Sequence, residues 1–301
     1  MSVSDISLRP FGTLVPAMVT PFTADGEVDY KAAGELANKL VDGGCDGLVV
    51  TGTTGETSTL TDEENLGMFQ AVLDAVGGRA RVIAGTGTND TRHSISLSQR
   101  AAKLGVDGLL LVTPYYNKPS QAGIQAHFEA IADATDVPVM LYDIPGRAGV
   151  PIETETILRL ADHPRIIALK DAKADFTATS RVLANTDLDV YSGDDGLTLP
   201  LMAAGAVGLV SVSAHVAPQQ FRALIDAAAE GDFTTARAIH FALDPVIRAT
   251  MGHVQGAVAV KQILKWQGVL SNSVVRLPLV EPGETEIAQI KADLAEAGME
   301  V

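Results

Sequence analysis

Cysteine occurs only once in this chain, at Cys45, so no intramolecular disulfide is available and a disulfide framework is excluded as the source of stability. Cys45 reads as a small core residue. Positive charge is also scarce, with 22 lysines and arginines against 37 aspartates and glutamates and a formal charge of −15. No basic run offsets that excess. This excludes nucleic acid and anionic membrane as partners, and any acidic substrate must be held by local cations. Long apolar runs are missing too: stretches such as Leu109-Leu110-Leu111-Val112 are strand-sized, far short of the roughly 20 residues of a membrane helix. The start, Met1-Ser2-Val3-Ser4-Asp5, has neither the basic opening nor the apolar centre of a secretory signal, so a cytoplasmic location is expected. The six histidines, at 93, 127, 163, 215, 240 and 253, have no metal-ligand spacing and read as surface or packing residues. Gly85-Thr86-Gly87-Thr88-Asn89 has the wrong glycine spacing for a dinucleotide loop.

What is present is alternation. Short apolar, β-branched runs near 14–20, 47–51, 81–85, 108–112, 137–142, 166–170, 188–191 and 207–212 predict strands. Segments of helical period fall between them, near 29–43, 61–76, 91–104, 120–135, 153–162, 175–185 and 196–204, with an eighth near 217–230. Thr61 followed by Glu64 forms a capping box, Ser120 opens a helix after Pro119, and Gly43-Gly44, Gly77-Gly78 and Gly105 supply stops. Eight βα units in about 230 residues match a (β/α)8 barrel better than a doubly wound sheet. Beyond residue 230 only helical patterns follow, near 232–251, 255–267 and 284–299. The expected architecture is therefore an α/β (β/α)8 TIM barrel over 1–230 and a C-terminal helical appendage over 231–301. Within the appendage, Lys261-Gln262-Ile263-Leu264-Lys265-Trp266 is amphipathic but short, and reads as packing against the barrel or a subunit.

In such a barrel the chemistry lies at the carboxyl ends of the strands. Ile166 to Lys170 is an apolar run ending in lysine. Burial lowers an ammonium pKa, and a neutral amine in a dry pocket attacks ketones to give a Schiff base. The plainer alternative, a lysine that caps the strand and reaches solvent along its stem, is favoured for this strand alone. A second strand, Val137 to Tyr142, changes the odds by placing a phenol at the equivalent end one helix-length upstream. Thr51-Gly52-Thr53-Thr54-Gly55-Glu56 gives a tight turn with exposed N–H groups and two hydroxyls, suited to a small carboxylate, although an ordinary Thr-capped turn is as good a reading in isolation. Val112 to Pro119 carries the pair Tyr115-Tyr116 in a proline-stiffened loop, so three of the five tyrosines fall at strand ends. Arg147, just past Tyr142, is a natural carboxylate clamp.

Gly52-Thr53-Thr54-Gly55-Glu56, Thr113-Pro114-Tyr115-Tyr116-Asn117, Tyr142-Asp143-Ile144-Pro145-Gly146-Arg147 and the strand ending in Lys170 together resemble the pyruvate-dependent class I aldolase family typified by dihydrodipicolinate synthase. The likeness runs from about residue 12 to the end of the chain, and four motifs in order are specific for the superfamily. Tyr116 and Arg147 resemble the synthase more than the sialic-acid lyases, which usually lack that arginine. The resemblance implies that Lys170 forms a Schiff base with pyruvate while Thr54 and adjacent amides hold its carboxylate. Tyr142, Thr53 and Tyr116 would relay protons, with Tyr116 supplied by a neighbouring subunit. Arg147 would clamp the carboxylate of aspartate semialdehyde, and Val210 would contact substrate. The product would be 4-hydroxy-tetrahydrodipicolinate, formed with neither a metal nor an organic cofactor, and the assembly a homotetramer built as a dimer of dimers. A sugar-acid aldolase of the same fold and a non-catalytic barrel that binds a small acid are the competing readings. Family members inhibited by lysine use an asparagine after strand three, an acidic residue four positions on, the first tyrosine of the pair, and imidazoles on the helix after Gly-Thr-Thr-Gly-Glu. Asn89 and Tyr115 match, but His93 replaces the acid and Asp62 and Asn65 stand on that helix, so weak or absent inhibition by lysine is expected.

Overall fold

The computed structural model describes residues 9–300; the segment Met1-Ser2-Val3-Ser4-Asp5 read above lies outside them. Eight strands form one parallel sheet in the order β1-β8-β7-β6-β5-β4-β3-β2. They are β1 (Leu14–Pro16), β2 (Gly47–Val50), β3 (Arg81–Gly85), β4 (Gly108–Val112), β5 (Val139–Asp143), β6 (Ile166–Asp171), β7 (Asp189–Ser192) and β8 (Gly208–Ser211). The two ends of the sheet meet through a bridge between Ala17 and Val49, with Met18 N donating to Val49 O at 2.9 Å, and the barrel is nearly closed. That junction explains why β1 is shorter than expected. Past Pro16 the chain stays extended but pairs with β2 at a single point. Similarly, β5 starts at Val139 because Pro138 has no N–H to give to a ladder.

Helices α1 (Tyr30–Asp42), α2 (Asp62–Val76), α3 (Thr91–Leu104), α4 (Gln121–Asp133), α6 (Thr154–Leu160), α7 (Phe176–Asn185), α8 (Thr198–Ala203) and α9 (Pro218–Ala229) fall where the periodicity predicts. The capping box at α2 is formed: Glu64 N donates to Thr61 Oγ1 at 3.2 Å and Thr61 N to Glu64 Oε2 at 2.8 Å. Missed by periodicity is α5 (Pro145–Ala148), a single turn that Pro145 starts because its missing N–H is unneeded there. The C-terminal helices are α10 (Phe233–Met251), α11 (Gly256–Trp266) and α12 (Glu284–Glu296). Leu243, Val246, Val260, Ile263 and Leu264 join the same hydrophobic layer as the barrel's outer face.

Side chains alternate across each strand. Leu14, Leu48, Leu109, Leu141 and Leu169 face the helices, whereas Val15, Val49, Leu110, Met140, Ala168 and Val210 fill the barrel interior. The amino-terminal mouth is plugged. A Cβ added at Gly47 would meet Phe11 O at 2.2 Å, and one at Gly108 would meet the Phe11 ring at 2.1 Å, so these strands begin with glycine to admit the backbone and ring of Phe11. Tyr191 completes the plug by donating its hydroxyl to Gly12 O at 2.7 Å. The barrel can take a ligand only from the opposite, carboxyl end.

Candidate active site

Adjacent strands β5 and β6 bring the two reactive groups together. Tyr142 and Lys170 are register partners, and Lys170 Nζ lies 4.0 Å from the centroid of the Tyr142 ring. Only 5% of Lys170 is exposed. Burial pushes its pKa down to about 7, the Arg147 guanidinium pushes the same way, and the Asp195 carboxylate partly opposes them. Around neutral pH such an amine is substantially unprotonated and nucleophilic. Lys173, three residues on, is a different case: its Nζ pairs with Asp143 Oδ2 at 3.1 Å and donates to Ile152 O at 3.3 Å. Burial raises the Tyr142 pKa to about 12, against the pull of Arg147. The phenol therefore keeps its proton at neutral pH.

Above this pair a cavity of about 190 Å³ is walled by Thr53, Tyr142 and Arg147, with Val112, Tyr115 and Ile144 among its other lining residues. Thr53 is carried on a 3-10 turn, Thr53–Gly55, closed by Gly55 N donating to Gly52 O at 3.0 Å and Glu56 N to Thr53 O at 3.1 Å. Thr54, the middle residue of that turn, is buried and is not itself part of the cavity wall. Arg147 sits on α5, so the helix that periodicity missed is the one that aims the guanidinium. Lys170 abuts the ring face of Tyr142 without lining the wall, and Val210 belongs to the interior packing below, in one cluster with Tyr142 and Ala168.

Tyr116 is not brought to the cavity within this chain. It is 89% exposed and left-handed, with φ +73°. Its loop is fixed all the same, since Asn117 Nδ2 donates to Asn89 O at 2.8 Å and Asn89 Nδ2 donates to Tyr115 O at 3.2 Å. The residue that sequence reasoning left without a role is Asp195. Its buried carboxylate accepts from Ser211 Oγ, from Val212 N at 3.1 Å and from Ser213 N at 3.3 Å, and burial raises its pKa. Its signal was the pair Asp194-Asp195 after β7, the strand next to β6.

This geometry has close counterparts. The model of the "Dihydrodipicolinate synthetase family" matches residues 10–297. The chain belongs to that family. A "4-hydroxy-tetrahydrodipicolinate synthase" from Kineococcus radiotolerans is 57% identical over 97% of this chain and 95% of its own length. A "4-hydroxy-tetrahydrodipicolinate synthase 2" from Streptomyces coelicolor is 53% identical over the full length of both. Among solved structures, dihydrodipicolinate synthase from Cyanidioschyzon merolae with lysine bound superposes with a TM-score of 0.92 at 40% identity, covering 97% of this chain and 100% of that one. A structure described as the first monomeric dihydrodipicolinate synthase variant gives 0.93 at 34% identity, covering 97% and 98%.

Proposed function

We propose that this protein condenses pyruvate with L-aspartate 4-semialdehyde to give 4-hydroxy-tetrahydrodipicolinate, the synthase reaction of lysine (diaminopimelate) biosynthesis. The observation that carries the reading is the pairing, on adjacent strand ends, of a buried low-pKa lysine with a tyrosine that keeps its proton. Lys170 Nζ attacks the ketone carbon of pyruvate, and loss of water from the carbinolamine leaves an iminium on the lysine. Tyr142 supplies the proton that lets water depart, at the worth of a positioned acid. With the iminium as electron sink, a methyl proton is lost to give the enamine, which attacks the aldehyde carbon of the second substrate. The amine of that substrate then adds to the iminium carbon and expels Lys170, closing the ring.

The remaining roles follow the resemblance. Thr54 and the neighbouring amides hold the pyruvate carboxylate, Thr53 passes protons between Tyr142 and a partner's Tyr116, Val210 contacts substrate, and Arg147 clamps the carboxylate of aspartate semialdehyde. The exposure of Tyr116 in a fixed loop supports a site completed across an interface, in a homotetramer built as a dimer of dimers. Residues 1–230 are read as the catalytic barrel and 231–301 as an appended helical unit, in a cytoplasmic enzyme. No described helix is long and apolar enough to cross a membrane. Arg147 on the cavity wall favours the synthase over a sugar-acid aldolase, whose substrate needs hydroxyl recognition at that place. Two measurements test the reading: intact mass after pyruvate and borohydride, then a coupled assay with aspartate semialdehyde. An adduct without semialdehyde turnover would select the aldolase, and no adduct at all would select a non-catalytic binder.

A further inference from the structure

A buried ion pair joins the turn that carries Thr53 and Thr54 to the C-terminal helices. Glu56 ends that turn in a left-handed conformation, φ +58°, which a non-glycine residue adopts only when its surroundings hold it there. Its carboxylate is held at both oxygens. Lys261 Nζ, from α11, donates to Oε1 at 2.5 Å, and the backbone N–H of Arg276 donates to Oε2 at 2.9 Å. The ammonium also donates to Val274 O at 2.9 Å and lies 4.0 Å from the centre of the Phe22 ring. Each side chain of the pair is only 1% exposed. On the other side, Thr20 Oγ1 donates to Gly55 O at 2.6 Å, and a Cβ at Gly55 would lie 3.1 Å from Met18 O, so the turn is seated against β1's continuation as well.

Two isolated charges would be poor packing material, since a buried ion pair is often matched or bettered in stability by apolar residues of the same size. What an apolar pair cannot do is fix a carboxylate by directional bonds and, through it, the strained backbone one residue beyond Gly55. We propose that Glu56 and Lys261 are positioning residues for the pyruvate-binding turn, so that the C-terminal helices set the geometry of the site's carboxylate cradle. This rests on the reading of Thr54 and its neighbouring amides as that cradle. Neither Glu56 nor Lys261 lines the cavity, so the pair acts through the turn and not on substrate.

The test uses the full-length enzyme with Lys261→Met, Glu56→Gln and the double variant Glu56→Gln/Lys261→Met. A displacement of a binding group by about 1 Å is enough to lower efficiency on the order of a hundredfold. The expected result is a KM for pyruvate raised about tenfold or more, accompanied by a lower kcat because the same turn carries Thr53 of the proposed relay, with the KM for aspartate semialdehyde little changed. Melting curves run alongside separate this from loss of fold. The double variant strands no charge, so it melts close to the parent while keeping the raised pyruvate KM, and it carries the test if Lys261→Met does not fold. Asp293→Asn, which loosens the bonds of Arg248 and His253 that tie α10 to α12, is the control: it lowers the melting temperature and leaves the pyruvate KM alone. A parental pyruvate KM in the double variant would overturn the positioning role. Absence of any reduced pyruvate adduct in the parent protein would instead overturn the pyruvate reading, and this proposal with it.

Discussion

Capture of pyruvate by the free enzyme should titrate near neutral pH, because the proposed nucleophile is the neutral form of Lys170. With its pKa pushed down to about 7, the amine is about half neutral at pH 7. An ordinary lysine is neutral there in only about one molecule in 3,000. The gain in nucleophile is on the order of 10³-fold, large enough to dominate a pH profile. At subsaturating pyruvate the rate of trapping by cyanoborohydride should rise about tenfold per pH unit well below the midpoint and flatten above about pH 8. Burial is the largest cause of the shift and the Arg147 guanidinium the next, so Arg147→Gln makes a second, signed test. Removing that cation lets the ammonium persist to higher pH. The midpoint should move up yet stay below that of an exposed lysine, with trapping slower at pH 6 and nearly unchanged at pH 9. Since trapping needs only pyruvate, the loss of the semialdehyde clamp does not confound it. A flat profile, a midpoint near 10.5, or a downward shift in Arg147→Gln would refute the reasoning.

Replacing Lys170 with methionine should abolish the borohydride adduct, because Lys173 is already paired with Asp143, and should also raise the melting temperature at pH 6. The sign follows from linkage: below about pH 7 folding buries a cation, a penalty relieved as pH rises from the folded value of about 7 toward 10.5, and it amounts to on the order of 5 kcal/mol at low pH. A lower melting point at pH 6, or a surviving adduct, would count against this assignment. Tyr142→Phe should keep the fold and lower turnover by roughly 10² to 10⁴, and an unchanged rate would remove it from the relay. Sedimentation at assay concentration should give a tetramer, and a fully active monomer would contradict the role given to Tyr116. Lysine should inhibit weakly or not at all, because His93 stands where an acid is expected and holds Asp62 at 2.8 Å, so that carboxylate is engaged. Losing a charge-assisted bond weakens binding by about one to two orders of magnitude, and sub-millimolar inhibition in an initial-rate titration would refute this.

Much of the fold was legible because each βα unit announces itself locally. The buried strands are continuous apolar runs, the α2 capping box lies within the four residues from Thr61 to Glu64, and left-handed glycines stop α2 and α3. The Tyr142–Lys170 pairing was legible too, since consecutive strands of a barrel are neighbours and both residues end their runs. Features that depend on contacts between distant segments were not. The bond between Glu56 and Lys261 spans 205 residues, and nothing in the pattern of α11 distinguishes Lys261 from a solvated lysine. Asp195 gains its importance from the amides that follow β8, and α5 is too short to show a period. Tyr116 is the reverse case: its motif was plain, but within this chain the side chain stays exposed and away from the cavity.

The positions of backbone strain bear on how the site is held. Among the described residues, left-handed non-glycine conformations occur at Thr51, Glu56, Tyr116, Lys118 and Ala174. All follow the carboxyl ends of β2, β4 or β6, the strands whose loops frame the cavity or carry Lys170. Each such residue costs on the order of 1 kcal/mol or more and persists only where neighbouring bonds over-determine it. At the plugged end of the barrel the corresponding close approaches are met by Gly47, Gly108 and Gly208, without strain from a side chain. The contrast is physical: one end needs only to exclude water, and small residues suffice. The other must hold a lysine, a protonated phenol and a hydroxyl-bearing turn in fixed relation around a cavity, where packing alone cannot do the work. Directional bonds from Asn89, Asn117 and Lys261 substitute for packing there, so truncating those residues should change the site before it unfolds the barrel.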